Sequence, residues 1–103
     1  MAEEAGIELA SAINVFNAGN ARSFVSECRF PNHILSGRFD GRSTVSNYAK
    51  DLAMAATYAD ECGDRAPYTH LTASLLKNAI EAGWSNDDFT QLYPRLKQLW
   101  DRT

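Results

Sequence analysis

The sequence predicts an all-α fold, a single bundle of about five helices spanning residues 1–103. Apolar residues recur every three or four positions in five separate segments, and Gly, Pro, Asn or Asp residues stand between those segments. No Asn-Gly or Asp-Gly dipeptide lies between runs of alternating polarity, so no β-hairpin is predicted. The length of 103 residues and the hydrophobic share of 45% are typical of one globular domain.

The first helix is predicted from Leu9 to Phe16, because its apolar residues follow helical spacing and the turn-forming stretch 17–20 comes next. Gly6 lies in front of this helix. Since Gly commonly follows a helix end, residues 1–5 are either a frayed terminus or the last turn of a longer preceding helix.

The second helix is predicted to begin after Ser23, whose hydroxyl suits an N-cap. Pro31 should punctuate this helix, with one further turn over residues 33–35. Residues 37–42 then break the helical pattern with two Gly and one Asp. We expect them to form a loop that carries Phe39 between charged neighbours.

The longest helix is predicted from Ser43 to Cys62, where apolar residues follow helical spacing over about five turns. Ser43 or Thr44 can cap its start, and Gly63 can end it in the left-handed conformation. Many of the apolar residues are alanines, which allow neighbouring helices to approach closely. The apolar positions are Val45, Tyr48, Ala49, Leu52, Ala55, Ala56, Ala59 and Cys62.

The last third of the chain predicts two more helices. One begins at Pro67, which the first helical turn tolerates, and stops at Gly83. The second of these two helices is expected to be capped by either Ser85 or Asn86. An interior proline removes one helical hydrogen bond, so Pro94 should kink the last helix or break it into two short helices near Tyr93.

Charge and hydropathy exclude several classes of function. A net charge of −3 with a pI near 5.2 disfavours nucleic acid and anionic membranes, both of which attract clustered Lys and Arg. No stretch approaches the roughly 20 apolar residues needed to cross a bilayer, and the N-terminus is acidic where a secretory signal would be basic. We therefore expect a cytoplasmic protein that binds neither nucleic acid nor membrane.

Neither the cysteines nor the histidines indicate a metal site. Cys28 and Cys62 have no second Cys or His pair nearby, and we expect both to be reduced and buried. His33 and His70 lack partners at metal-ligand spacing on their own helices, which favours surface or capping roles. No Gly-rich phosphate cradle and no nucleophile elbow occurs, so nucleotide binding by this chain alone is not supported.

Lys50 and Asp51 are the one chemically suggestive pair. They lie at the margin of the apolar stripe of the longest helix, between Ala49 and Leu52. Adjacent helical residues point about 100° apart, so the two cannot face one partner squarely. A lysine at this margin can bind an anionic ligand or donate to a carbonyl oxygen. Alternatively, its aliphatic part covers the apolar surface while its ammonium group extends into solvent.

The aromatic residues of the last third are at helical spacing, which is more typical of a core than of a ligand site. Trp84 differs because it stands in a turn between helices, where either a packed residue or an exposed interface residue is consistent with its position. The aromatic residues at helical spacing are Tyr68, Phe89, Tyr93 and Trp100.

Several short motifs together resemble the C-terminal helical domain of the β-hydroxyacid dehydrogenases, in particular the 3-hydroxyisobutyrate dehydrogenase and tartronate semialdehyde reductase branch. The resemblance covers roughly residues 3–97. The motifs are Asn17-Ala18, Ala21-Arg22-Ser23, Arg29-Phe30-Pro31, Phe39-Asp40 and Lys50-Asp51-Leu52-Ala53-Met54-Ala55, followed in the family's order by Gly63, Pro67 and Ala82-Gly83.

The resemblance implies the fold of the 6-phosphogluconate dehydrogenase C-terminal domain and an NAD(P)-dependent oxidation of a short 3-hydroxy acid. In such enzymes a Rossmann domain comes first, and the helical domain supplies dimer contacts and one wall of the active-site cleft. Lys50 would then face the cofactor and substrate, with Phe39 nearby, whereas Asp51 would hold local structure. Residues 1–5 would be the end of a truncated interdomain helix.

The sequence also departs from the family. It lacks the Gly-rich cofactor fingerprint and the upstream helix that carries the principal catalytic lysine and its Asn partner. Ser43 stands where relatives often place an aromatic residue, and Ala21 where they often have Gly. We therefore expect a fragment, a truncated gene product or a separate domain, with no complete catalytic site and no cofactor of its own.

Three functional interpretations follow from these observations. The first is a dimerisation and substrate-cleft domain that forms a homodimer or joins a Rossmann-domain partner, with NAD or NADP as the cofactor of the full-length family. The second is a free-standing protein-interaction module that reuses the fold. The third is one half of a split dehydrogenase, with Lys50 reaching into a site on a separate polypeptide.

Overall fold

The computed structural model describes residues 1–101 and confirms the all-α class. Over these residues the only β-type pairing is one isolated bridge, between Thr44 and Asp88. The chain forms two compact units, Met1–Gly41 and Arg42–Thr103, which are described separately. The helices are α1 (Leu9–Asn17), a π-helix (Val25–Leu35), α2 (Val45–Glu61), α3 (Pro67–Glu81) and α4 (Leu92–Asp101), with short 3-10 turns at Glu3–Ala5 and Phe89–Gln91.

In the unit Met1–Gly41, α1 packs against the π-helix and buries Ala12 and Ile13. The N-terminal residues form a single 3-10 turn, Glu3–Ala5, which ends at Gly6 with φ 82°. Gly tolerates this left-handed conformation because it has no Cβ, so a Gly at this position ends the turn without strain.

Ser23 makes the capping hydrogen bonds predicted for it, one residue before Phe24, which is the N-cap position of the π-helix and has no capping side chain. Its Oγ accepts a hydrogen bond from the Ser26 N–H at 3.1 Å, and the Ser26 Oγ accepts one from the Ser23 N–H at 2.8 Å. This exchange is the reciprocal arrangement of a capping box, with serine in place of the usual Glu or Gln. Two backbone donors at the helix start are therefore satisfied locally.

The prediction that Pro31 punctuates the second helix is wrong, because the helix continues to Leu35 in π register. In that register the N–H of each residue bonds to the carbonyl five positions earlier. Pro31 has no N–H, so the Ser26 carbonyl loses its helical donor. The side chain of Asn17 replaces this donor, with its Nδ2 donating to the Ser26 oxygen over 3.0 Å.

In the unit Arg42–Thr103, α2 and α3 lie side by side and share the core with α4. Gly63 ends α2 with φ 72°, and Gly83 follows α3 with φ 89°, as their positions predicted. The buried core residues are Val45, Leu76, Ala79 and Leu99, with Ala49, Leu52, Leu75, Ile80, Trp84 and Leu92 packed against them.

The start of α2 is held by a neighbouring segment as well as by its own cap. Thr44 accepts from the Asn47 N–H at 3.2 Å, which confirms one of the two predicted caps. Two further donors, the N–H groups of Val45 and Ser46, bond at 2.9 and 3.0 Å to carbonyls in the turn that follows α3. Donors that an isolated helix would leave without partners are thus satisfied by tertiary structure.

The predicted cap of the last helix is wrong, whereas the predicted break into two short helices near Tyr93 is confirmed. Neither Ser85 nor Asn86 is the cap; Asp88 is, and its carboxylate accepts from the Thr90 N–H at 3.0 Å. The 3-10 turn changes to α4 at Leu92, which places Pro94 in the first turn of α4. A first turn needs no donor at that position, so the break falls two residues before Pro94 and α4 continues through the proline.

Several burial predictions are also wrong. Cys62 is exposed at the end of α2, while Cys28 is half-buried, and neither forms a disulfide. Tyr68 is 84% exposed and Trp100 49% exposed, because helical spacing alone does not show which face a neighbouring helix covers. Trp84 is packed against the core, which agrees with its interpretation as a packed turn residue and not with that as an exposed interface residue.

Among residues 1–101 there is no helix with the length and apolar character required to cross a membrane.

Candidate functional site

One face of α2 carries exposed residues that the core does not use. We call this face the outer stripe of α2 and define it as Lys50, Met54, Thr57, Tyr58 and Glu61. These residues recur at intervals of three or four, so they lie on one side of the helix. An open groove of about 440 Å³ follows the stripe. The core-facing side of the same helix carries Val45, Ala49, Leu52 and Ala56.

The ammonium group of Lys50 is accessible. Its side chain is 67% exposed, and its Nζ lies 3.8 Å from the Asp51 Oδ1, whose side chain is equally open to solvent. An ion pair of this length and exposure contributes little to stability. Lys50 therefore presents a cation that can move toward an anionic group or a carbonyl oxygen with little loss of existing interactions.

Large apolar groups lie directly beside Lys50. Met54, one turn further along, is 64% exposed, and Tyr58, two turns along, is 69% exposed. Adjacent exposed side chains of this size are typical of a surface that contacts another molecule. The combination of a cation with a thioether and a phenol ring suits a ligand or protein surface that is partly apolar and partly anionic.

A second groove, of about 450 Å³, runs between α2 and α3. Small residues from both helices form its floor, so the two helices approach closely. At one side the His70 Nε2 lies 2.9 Å from the Asp60 Oδ1, a polar contact that joins α3 to α2. The apolar lining consists of Ala49, Ala53, Ala56, Ala73 and Ile80.

Phe39 belongs to the unit Met1–Gly41, whereas Lys50 belongs to the unit Arg42–Thr103. Phe39 is half-buried in the predicted loop and has φ 49°, a left-handed conformation that is rare for a bulky residue. Its N–H donates to the His33 carbonyl over 2.7 Å. The loop thus returns to the end of the π-helix.

Three polar side chains hold the loop next to Phe39. The His33 Nδ1 lies 2.7 Å from the Asp40 Oδ1, and the Arg29 Nη1 lies 3.4 Å from the His33 Nε2. Arg29 also donates to the Gly41 carbonyl at 3.2 Å. Arginine only donates, so Nε2 must accept, and in neutral His33 the hydrogen is then on Nδ1, facing the carboxylate. We call Arg29, His33, Asp40 and Gly41 the loop anchor.

The hydrogen bond from His33 lowers the pKa of the Asp40 carboxyl below its usual value of 3.8, and the nearby positive charges of His33 and Arg38 act in the same direction. Asp40 consequently stays ionised, and available as an acceptor, at neutral and mildly acidic pH.

The described residues offer no metal site, and the groove along the outer stripe does not enclose a ligand. Within residues 1–101 no group of three or more His, Cys, Asp or Glu side chains is placed to hold a metal ion. The groove is open and lined by one helix, whereas ligand sites usually enclose most of the ligand. The stripe therefore forms one open wall, with Lys50 as its cation.

Comparison with known protein families gives one match. Residues 1–96 match a family model described as NAD-binding of NADP-dependent 3-hydroxyisobutyrate dehydrogenase. The chain belongs to this family. The match covers both compact units and includes the outer stripe of α2 and the loop anchor. No curated protein matches the chain.

Membership of the 3-hydroxyisobutyrate dehydrogenase-like family agrees with the motifs in the sequence, among them Lys50-Asp51-Leu52 in the first half of α2. The family model represents the C-terminal helical domain of such proteins, and the all-α structure is consistent with it. The roles of Lys50 and Phe39 in cofactor binding remain predictions.

Sequence reasoning missed two features of the site. The apolar part of the outer stripe was detectable, because Met54 and Tyr58 follow Lys50 at four-residue intervals. The pairing of His33 with Asp40 was not, because the loop between them has no fixed geometry until it folds. The interpretation of His33 as a surface or capping residue therefore omitted its partner.

Proposed function

We propose that this chain is the cleft-forming and dimerising domain of an NAD(P)-dependent 3-hydroxyacid dehydrogenase-like protein, and that it is not catalytic alone. The match of residues 1–96 to the 3-hydroxyisobutyrate dehydrogenase-like family carries the proposal. Within that family we favour the 3-hydroxyisobutyrate dehydrogenase and tartronate semialdehyde reductase branch, because of the motifs around Phe39 and Lys50.

The outer stripe of α2 supports a role as one wall of a cofactor and substrate cleft. The exposed ammonium of Lys50 can donate to a carboxylate, phosphate or carbonyl oxygen, and Met54 beside it can cover an apolar ring. NAD or NADP, when bound, would supply the hydride chemistry. These 103 residues contain no Gly-rich phosphate cradle, so the cofactor phosphates would be held by a Rossmann domain.

The first experiment tests the contact between Lys50 and the cofactor. The ¹⁵N-labelled chain is titrated separately with NAD and NADP while its amide signals are recorded. We expect weak binding, with shifts concentrated between Lys50 and Glu61. Lys50→Ala should abolish these shifts, while Lys77→Ala, which removes an exposed lysine from α3, should leave them unchanged. Shifts that persist in Lys50→Ala would refute the contact.

The second experiment tests the absence of independent catalysis. The purified chain is incubated with NAD or NADP and several short 3-hydroxy acids, and reduced nicotinamide is followed by absorbance. We expect no turnover above background, because hydride transfer requires a cofactor held against the substrate. Measurable turnover would overturn the claim that the chain is inactive alone.

A protein-interaction module is the second candidate, and the exposure of Met54 and Tyr58 favours it. A homodimer, a Rossmann-domain partner of a split dehydrogenase and an unrelated protein could each cover this surface. Light scattering of the purified chain, with Met54→Lys as a variant, separates self-association from the other two. A dimer that Met54→Lys dissociates favours a homodimer through this stripe, whereas a monomer in both samples excludes it.

A further inference from the structure

The loop 37–42 contains backbone conformations that need support. Gly37 has φ 73°, which glycine adopts freely, but Phe39 has φ 49°. In a residue with a Cβ this conformation is crowded, so an unsupported Phe39 would return to negative φ. Such a conformation persists only where surrounding contacts hold it.

The loop anchor supplies those contacts on the C-terminal side of Phe39. Asp40 bonds to His33 over 2.7 Å, and the Gly41 carbonyl accepts from Arg29 over 3.2 Å. Asp40 and Gly41, the two loop residues directly after Phe39, are therefore both hydrogen-bonded to the π-helix. The Phe39 N–H itself bonds to the His33 backbone, so one helical residue contacts the loop twice.

We propose that His33 is a positioning residue that fixes the conformation of Phe39 by donating from Nδ1 to Asp40. Arg29 selects the tautomer, because it occupies Nε2 as a donor and leaves the hydrogen of neutral His33 on Nδ1. The relevance of the loop anchor to cofactor binding rests on the proposed function, whereas the assignment of His33 rests on the hydrogen bonds of the anchor alone.

The anchor responds to pH through the carboxyl of Asp40. His33 is faced by Arg29 from the π-helix and by Asp40 from the loop, while Arg38 acts on Asp40 by its charge. Since the folded pKa of Asp40 lies below its unfolded value, its contribution is present above pH 3.8 and is lost as pH falls through the lower, folded pKa.

Three variants of the full chain test this assignment. His33→Asn keeps an amide nitrogen two bonds from Cβ, as Nδ1 is, whereas His33→Gln places its nitrogen three bonds away, as Nε2 is. Asp40→Asn removes the charge of the acceptor. Asp60→Asn is the matched control, because it weakens the other His–Asp pair, which joins α2 and α3.

The measurements are amide hydrogen exchange of Phe39 at neutral pH and ¹³C titration of the Asp40 carboxyl. In His33→Gln and Asp40→Asn we expect Phe39 exchange to rise by about threefold, as the loss of a partly exposed pair predicts. His33→Asn and Asp60→Asn should exchange like the wild type. The Asp40 titration should move up to its ordinary range in His33→Gln and stay low in His33→Asn.

Equal exchange at Phe39 in all variants would overturn the proposal, as would equal loosening by His33→Asn and His33→Gln. The wild-type chain gives a test that needs no variant to fold. The chemical shift of the Phe39 amide should change with pH at the same midpoint as the Asp40 carboxyl. A Phe39 shift that does not change at that midpoint overturns the assignment. No nucleotide is present in these measurements, so their failure is distinct from failure of the proposed cofactor contact.

Discussion

Asn17 carries out a role at the residue scale that no local pattern indicates. It lies at the end of α1 and donates to the buried carbonyl of Ser26, which has lost its helical donor to Pro31. The Oδ1 of the same side chain is buried without a hydrogen-bond partner. The amide nitrogen of Asn17 therefore replaces the missing helical donor, while its amide oxygen has no hydrogen-bond partner.

Replacing Asn17 by Ala should lower the free energy of unfolding by about 1 kcal/mol, because a buried carbonyl loses its donor. The loss is modest since the unsatisfied Oδ1 is removed as well. Urea denaturation measures the change. Asn14→Ala, at an exposed position of the same helix, is the control and should change stability by less than about 0.5 kcal/mol.

A double-mutant cycle with Pro31→Ala sharpens this test. The substitution Pro31→Ala restores a backbone N–H that can bond to the Ser26 carbonyl, so the effect of Asn17→Ala should shrink in that background. Additive effects of the two substitutions would show that Asn17 does not compensate for the proline.

At the element scale, caps and backbone bonds decide where the helices begin. Asp88 joins two segments: its Oδ1 accepts from the Thr90 N–H and, over 2.5 Å, from the Thr90 hydroxyl, while its Oδ2 accepts from the Arg42 N–H at 2.8 Å. Arg42 has φ 62°, so its left-handed conformation is held by this side chain in part. Asp88 thus fixes both the 3-10 turn before α4 and the approach to α2.

Substitution of Asp88 by Ala should destabilise the chain by about 2 kcal/mol, the sum expected for a lost cap and a lost bond to a charged acceptor. The matched control is Asn86→Ala, which removes one of the two residues that the sequence pattern predicted as the cap. Asn86 is exposed, and we expect a change below about 0.5 kcal/mol. Thermal unfolding followed by circular dichroism compares the two; a larger effect at Asn86 would contradict the assigned cap.

At the scale of the whole molecule, the two compact units have different kinds of stabilisation. The unit Arg42–Thr103 has a buried apolar cluster shared by α2, α3 and α4. The unit Met1–Gly41 buries fewer large apolar side chains and depends more on side-chain hydrogen bonds, through Asn17, the serine capping box and the loop anchor. That the two units form one domain stays a prediction.

Leu99 tests whether α4 is integral to the core of its unit. It is 3% exposed, and Leu99→Ala should cost about 2–4 kcal/mol through the cavity that it leaves. Leu96→Ala, on the same helix but 38% exposed, should cost less than about 1 kcal/mol. Denaturation monitored by tryptophan fluorescence reports on this unit, because both tryptophans of the chain, Trp84 and Trp100, lie in it. Equal effects would mean that α4 does not close the core.

Much of the helical architecture was predictable because it depends on local chemistry. Helical spacing placed α1, α2 and α3, and Gly6, Gly63 and Gly83 ended the segments before them as expected. The longest helix and its Thr44 cap were predicted with nearly the observed bounds. These features need only the periodicity of the chain and the backbone freedom of particular residues, both of which are present in the sequence.

Tertiary structure decided the features that depend on a distant partner. The carbonyl that Pro31 leaves without a helical donor is reached by Asn17, and the capping residue Asp88 also bonds to the segment before α2. His33 acquires its partner through a loop whose path no pattern fixes. The sequence by itself therefore determined the helices, the family motifs and Lys50 as the residue to test. The fold determined which of its neighbours are exposed and which polar groups meet, because hydrogen bonds between distant residues form only after the chain has been packed.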